Sequence, residues 1–313
     1  MLWLVGTGSM ALEYAKVLKD LKVKYYVIGR GKQSARRFNS ITKTDVFLGG
    51  LSKFLRTNPV IPNKVINCVN IEKLKSTSLE LMNYGAKNIL LEKPGGSSIK
   101  EINELNKHSK RSGADIRIAF NRRFFASTQK LKKLIKQDGG VLSFNFDFTE
   151  RTDLIEKEKK SKQVLKNWFL ANSTHVVDLA FKIGGLPDHI TSHVSNKHSW
   201  NNSSSLFCGS GKTKEGRLFS YHANWHSGGR WSVEVFTLRG RYILCPLEKL
   251  FFQKRGSFDI KEIPLNIKFD KKFKPGFYLQ TRSFIKSIND DLLSLSEYNG
   301  HMNYYKKIAG YNR

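Results

Sequence analysis

The chain has 313 residues, with 54 Lys+Arg against 26 Asp+Glu, a formal net charge of +28, and 40% hydrophobic and 12% aromatic residues. That apolar content excludes a disordered chain, and the length, at roughly 150 residues per domain, predicts two domains. No apolar run approaches the roughly 20 residues that cross a bilayer, the first six residues lack the basic stretch and cleavage site of a signal peptide, and Cys68, Cys208 and Cys245 are too widely spaced for a disulfide framework or a metal knuckle, so a soluble cytoplasmic protein is expected.

Up to residue 120, short apolar runs alternate with amphipathic stretches. Strands are predicted over 2–5, 24–28, 65–69, 88–91 and 116–120, and helices over 10–21, 33–39, 74–84 and 99–112. Continuous apolar strands alternating with helices predict a parallel sheet covered on both faces, which binds its ligand at the strands' carboxyl ends where strand order reverses. Beyond residue 120 the pattern changes. A helix over 127–137 is followed by Val141 to Phe148, whose period-two alternation predicts a half-buried antiparallel strand. Further strands are predicted over 205–208, 218–225, 231–237 and 241–244, separated by Gly209-Ser210-Gly211, Ser227-Gly228-Gly229 and Arg239-Gly240. Helices are predicted over 176–182, 278–288 and 296–309. The fold class is therefore α/β: a Rossmann-type domain with a parallel sheet over 1–120, then an α+β domain over 121–313 with an open, mostly antiparallel sheet.

Gly6-Thr7-Gly8-Ser9-Met10-Ala11 is a GxGxxA between a predicted strand and a predicted helix. Gly6 permits the tight turn, Gly8 lets backbone approach a pyrophosphate, and Ala11 allows close helix–strand packing, while the helix amino terminus offers N–H donors and partial positive charge. The second strand ends Ile28-Gly29-Arg30-Gly31-Lys32-Gln33-Ser34. NAD sites place a carboxylate there to bind the ribose hydroxyls; here Arg30, aided by Ser34 or Lys32, suits a 2′-phosphate. NADP(H) is favoured, with NAD(H) as the alternative. Leu91-Glu92-Lys93-Pro94 ends the 88–91 strand, where the Lys93 ammonium suits a reacting oxygen. The candidate cofactor contacts are Gly6, Thr7, Gly8, Ser9, Met10, Arg30, Ser34, Cys68, Glu92 and Lys93.

GxGxxA, Glu-Lys-Pro and the change to an antiparallel sheet together resemble the Gfo/Idh/MocA oxidoreductases. Ala119-Phe120-Asn121-Arg122-Arg123-Phe124 resembles the segment opening that family's second domain, and Ser173-Thr174-His175-Val176-Val177-Asp178-Leu179 resembles its active-site helix. The resemblance covers essentially the whole chain. It implies a nicotinamide-dependent oxidoreductase acting on a CH–OH group of a sugar or polyol, with Lys93 and His175 as catalytic residues flanking the carbon that exchanges hydride. Asp178 is expected to anchor the helix or to orient a neighbour rather than to touch substrate. One position departs: many members carry an Asp four residues before this His, where this chain has Ala171, followed by Asn172. That puts the usual proton relay in doubt.

The candidate substrate contacts are Asn121, Arg122, Trp168, Asn172 and His175, with Arg123 a further cation near the domain junction. An Arg clamps a carboxylate or phosphate, and a Trp either stacks on a sugar face or belongs to the core. His222 and His226, four apart on a predicted strand, point to one face two pleats apart, and no metal is expected. Trp225 and Trp231 fall on the predicted open sheet, whose free face is often an oligomer interface in this family, so a homo-oligomer is expected.

The charge of +28 reads either as a solubilising lysine-rich surface or as attraction to an anion. The basic residues are scattered, and the densest cluster, Lys157 to Lys162, is interrupted by Glu156 and Glu158 and reads as a solvated loop. Without an RNP-like motif or finger spacing, nucleic-acid and membrane partners are not expected. The resulting expectation is an NADP(H)-dependent oxidoreductase for a sugar or sugar derivative, nucleotide-linked or acidic, in carbohydrate or surface-polysaccharide metabolism. The alternatives are an NAD-dependent polyol or sugar dehydrogenase and a catalytically inactive cofactor-binding regulator.

Overall fold

In the computed structural model, which describes residues 1–157 and 160–311, Leu2-Trp3-Leu4-Val5 is buried along its whole length. A strand buried on both faces needs helices above and below it. The chain supplies them in order: β1 (Leu2–Val5), α1 (Ser9–Asp20), β2 (Tyr25–Gly29), α2 (Lys32–Thr42), β3 (Val46–Leu48), α3 (Leu51–Leu55), β4 (Lys64–Asn67), α4 (Ile71–Asn83), β5 (Asn88–Leu91), α5 (Ile99–Ser112) and β6 (Asp115–Ile118). These strands pair in parallel in the order β6-β5-β4-β1-β2-β3, so strand order reverses at β1, beside β4. Helix α5 shows how locally the boundaries are set. The Ser98 hydroxyl accepts the Glu101 N–H at its start, and Gly113 closes it at φ 64°.

The second stretch runs α6 (Ala126–Gln137), β7 (Ser143–Asp147), α7 (Thr152–Ile155), α8 (Lys162–Lys166), a π-helical turn over Phe169–Ser173, α9 (Thr174–Gly184), β8 (Pro187–Ser195), β9 (Leu206–Thr213), β10 (Leu218–Asn224), β11 (Ser232–Phe236), β12 (Gly240–Leu244), β13 (Phe251–Lys254) and β14 (Ile260–Glu262). Its eight strands lie in the order β14-β13-β12-β11-β7-β10-β9-β8, all antiparallel except β7 with β10. The alternation in β7 buries Phe144 and Phe146, whose rings meet Phe181 of α9 at 6.0 and 5.5 Å. Asn145, Ser220, His222 and Glu234 occupy the opposite, alternate positions.

The chain then continues through α10 (Lys268–Lys272), α11 (Phe277–Ile285), β15 (Leu293–Ser294) and α12 (Leu295–Ala309). Two compact units result. Met1–Asn121 and Phe269–Gly300 form the first, while Arg122–Lys268 and the chain from His301 form the second. The sequence reading divides the chain once, at residue 120; in the structure, 269–300 belongs to the first unit. There β15 pairs antiparallel with β6, and the Lys64 ammonium donates to the Phe284 carbonyl at 2.6 Å.

Three expectations are corrected. Gly209-Ser210-Gly211 does not separate strands but lies within β9. A Cβ at Gly209 would sit 2.4 Å from the Tyr221 hydroxyl, and one at Gly211 would sit 2.1 Å from the His189 carbonyl oxygen. These glycines therefore make room for neighbouring strands rather than a turn. Trp225 is 1% exposed, with its indole N–H donating to the Phe148 carbonyl, so it belongs to the second unit's own core and not to a free face. His226 falls beyond β10 and bonds Ser205 Oγ through Nε2 at 2.7 Å, so it does not share a strand face with His222. The basic stretch lies between α7 and α8: Lys157, Lys160 and Ser161 belong to no helix or strand, as expected of a loop, Lys162 opens α8, and Glu158 and Lys159 lie outside the described residues. Among the described residues, no helix is long and apolar enough to cross a membrane, and no cluster of His, Cys, Asp and Glu has the makings of a metal site.

Candidate functional site

The first unit holds a cavity of about 500 Å³ at the point of strand reversal. Gly6, Thr7, Gly8, Arg30, Ser34 and Cys68 all line it, as do Gly31, Gly50, Asn70, Lys73 and Glu80. Gly6 stands at φ 125°, and a Cβ there would lie 2.8 Å from the Cys68 carbonyl oxygen, so both conformation and space require glycine. At Gly8 the space is open: a Cβ would meet nothing within 4 Å. No side chain caps α1 at Gly8, and its first turn carries no acidic residue, so the helix amino terminus presents N–H donors to an anion. These features fit a dinucleotide diphosphate.

Arg30 follows β2, and no carboxylate stands between Tyr25 and Ser34. Ser34 Oγ donates to the Gly31 carbonyl at 3.1 Å, so it accepts from Thr7 Oγ1 at 2.9 Å. This bond ties the glycine turn to α2. The cavity's carboxylate, Glu80 on α4, takes a 2.6 Å bond from Ser52. Sequence reasoning missed Asn70, Lys73 and Glu80, which carry no motif and reach the cavity only through the placement of α4.

Ser9 and Met10 open α1, and Glu92 and Lys93 follow β5; none of the four lines this cavity. Glu92 is 8% exposed and accepts the Tyr14 hydroxyl at 2.6 Å, while Tyr14 accepts from Gln280 Nε2 at 3.2 Å. Burial pushes the Glu92 carboxyl above its usual range, and the Tyr14 bond and the Lys93 and Lys274 charges offset part of that rise. Burial, then the Glu92 charge, likewise raises the Tyr14 hydroxyl and the Cys68 thiol well above their ordinary values. Lys93 is half-buried in the turn opened by this carboxylate. Asn121 Nδ2 donates to the Pro275 carbonyl at 2.9 Å within the first unit.

The second unit has its own cavity, of about 530 Å³. It gathers Arg122, Trp168 and Asn172 from the sequence-predicted set and adds Glu150, Arg151, Arg230, Trp231 and Glu248. His175 is 3% exposed and reaches this group through Arg122, whose Nη1 lies 2.9 Å from His175 Nε2. A guanidinium only donates, so Nε2 accepts and the ring proton sits on Nδ1. Trp231 flanks both, its ring 5.6 Å from the Arg122 guanidinium carbon and 6.2 Å from the imidazole. Arg123 is withdrawn from any ligand role. It is 5% exposed, with Nε and Nη2 donating to the two Asp178 oxygens at 2.7 and 2.6 Å, and this pair anchors α9.

No family model matches the chain, and no curated protein is similar to it in sequence. Solved structures are similar to it over nearly the whole chain. The dehydrogenase MviM of Clostridium difficile shares 16% identity at TM-score 0.76, over 99% of this chain and 98% of that one. UDP-N-acetylglucosamine 3-dehydrogenase GnnA of Acidithiobacillus ferrooxidans shares 11% at 0.74, over 99% and 96%. An oxidoreductase of Agrobacterium radiobacter in complex with NAD+, L-tartaric acid and magnesium shares 11% at 0.77, over 99% and 95%. The chain has the fold of these oxidoreductases. At these identities the likeness is one of architecture, and the chemistry resides in the residues of the two cavities.

Proposed function

We propose that the protein is an NADP(H)-dependent oxidoreductase that moves hydride to or from a carbinol carbon of a sugar or sugar derivative, nucleotide-linked or acidic. The observation that carries this is the first unit's cavity, where a glycine turn with open space at Gly8 leads to Arg30 with no carboxylate beside it. When bound, the cofactor supplies the hydride chemistry. Gly6, Thr7 and Gly8, with the amino terminus of α1 that Ser9 and Met10 open, would hold its diphosphate, and Arg30, with Ser34 fixing the turn, the 2′-phosphate. In this reading Lys93 and His175 are the acid–base residues, and Arg122, Trp168 and Asn172 hold the sugar. An NAD+ complex and a UDP-N-acetylglucosamine dehydrogenase among the similar structures support the cofactor and substrate classes.

The test is a fluorescence titration with NADPH and NADH, followed by a screen of sugars, sugar acids and nucleotide sugars at the nicotinamide absorbance. Tighter binding of NADPH and turnover of at least one carbohydrate are expected. His175→Ala is expected to lower kcat by about 10²–10⁴-fold, the range for a positioned acid–base group. A His175→Ala enzyme with full kcat removes that role. A second reading, a cofactor-binding regulator, is favoured by one observation, Ala171 in place of the relay carboxylate. Tight NADPH binding with no turnover across the screen would establish it.

A further inference from the structure

The second unit's cavity contains a carboxylate that no motif announces. Glu150 lies three residues beyond β7 and is only 6% exposed, yet it lines the cavity with Arg122, Trp168 and Asn172. Its oxygens take bonds from Asn172 Nδ2 at 3.0 and 3.2 Å and from Ser173 Oγ at 2.6 Å. Both donors belong to the π-helical turn over Phe169–Ser173, directly before α9, and π-turns recur at functional sites. Ala171, in the middle of the same turn, brings only a methyl group. The turn thus turns Asn172 and Ser173 toward a carboxylate from another element, at the place where its own sequence has none.

The cavity's other contents indicate what such a carboxylate meets. The charged groups lining it with Glu150 are Arg122, Arg151, Arg230 and Glu248, of which Arg151 pairs with Asp153. With Arg151 paired to Asp153, the two remaining guanidiniums balance the two carboxylates, so the lining does not call for a cationic ligand. A neutral O–H donor satisfies a carboxylate acceptor, and Trp231 beside Arg122 offers an aromatic face to C–H groups. Donors, an acceptor and an aromatic ring in one cavity match a polyhydroxylated ligand.

We infer that Glu150 is the carboxylate of the carbohydrate site, accepting a hydrogen bond from a hydroxyl of the bound sugar, with Asn172 and Ser173 as the positioning residues that aim it. The inference rests on the carbohydrate reading of the proposed function, but its test reads binding separately from turnover. Parent and Glu150→Gln proteins are titrated with myo-inositol, UDP-N-acetylglucosamine and glucuronic acid by tryptophan fluorescence, and NADPH binding and Tm are measured alongside. Sugar affinity, and KM for any sugar turned over, are expected to weaken roughly 10-fold in Glu150→Gln, the scale of a hydrogen bond to a charged group, with NADPH affinity unchanged. If Glu150→Gln does not fold, Ser173→Ala keeps the carboxylate while releasing one of its donors, and weaker sugar binding with unchanged NADPH affinity is again expected. Sugar binding within twofold of the parent in the folded variant overturns the inference and leaves the proposed function standing. Glu150-dependent binding without turnover keeps the inference and overturns the oxidoreductase reading. No binding of any of the three sugars by the parent overturns the inference.

Discussion

Arg30 and Glu92 show how single side chains set what the first unit can bind and under what conditions. Arg30 stands at a strand end where a carboxylate would repel a phosphate, and it lines the cavity with the glycine turn. Arg30→Ala is expected to weaken NADPH roughly 10- to 100-fold, the scale of one charge-assisted bond, and to change NADH by less than about threefold. Parallel fluorescence titrations read that split, and an equal loss for both cofactors would deny Arg30 the 2′-phosphate. Glu92 has a consequence for stability. Burial raises its carboxyl above the usual range in the folded protein, so between the unfolded and folded values the folded state binds more protons. Stability from this group is therefore greatest at acid pH and is lost as pH rises through that window. Glu92→Gln still accepts the Tyr14 hydroxyl but does not titrate. Its Tm relative to the parent is expected to climb as pH rises above the ordinary carboxylate value, then to level off. A Tm difference that is flat with pH counts against a buried, raised Glu92.

At the scale of elements, the Arg123–Asp178 pair fixes α9, the helix that carries His175. Asp178→Ala leaves a buried guanidinium without its carboxylate and is expected to cost about 3–5 kcal/mol, read as a lower urea midpoint. A loss below about 1 kcal/mol would mean that the rest of the second unit holds α9 unaided. The alternation of β1, α1 and β2 and the helical periods of α4 and α5 were legible because each buries a regular set of apolar positions. Strand β8 was not, since it lies at the sheet's edge and exposes Asp188, His189 and Thr191. Strand β3 has three residues, too few for a period, and β14 is exposed throughout. The site divides the same way. Gly6, Gly8 and Arg30 could be read because backbone conformation and strand-end chemistry dictate them locally. Glu150 and the neighbouring Arg230 and Trp231 come from two distant segments that only the folding of the second unit brings to one cavity. Trp225 looked surface-bound on a sheet pattern because alternation names two faces without saying which one is covered.

Across the whole molecule, a charge of +28 acts on every anion that approaches. Long-range attraction raises the encounter rate of a charged ligand, and salt removes it, because the Debye length falls from about 30 Å at 0.01 M to about 3 Å at 1 M. Contact charges inside a cavity are screened less. NADPH, with one phosphate more than NADH, is more strongly drawn on both counts. Raising salt from about 0.02 to about 0.5 M is therefore expected to slow NADPH association about 10-fold or more, with a smaller change in its dissociation rate, as read by stopped-flow fluorescence. Arg30→Ala supplies the control. If Arg30 acts by contact, the variant is expected to dissociate faster while keeping a nearly parental salt slope for association, since 53 of the 54 Lys and Arg residues remain. An association rate indifferent to salt in the parent would mean that the scattered lysines serve solubility alone, and that the cavity's own donors account for whatever preference NADPH enjoys.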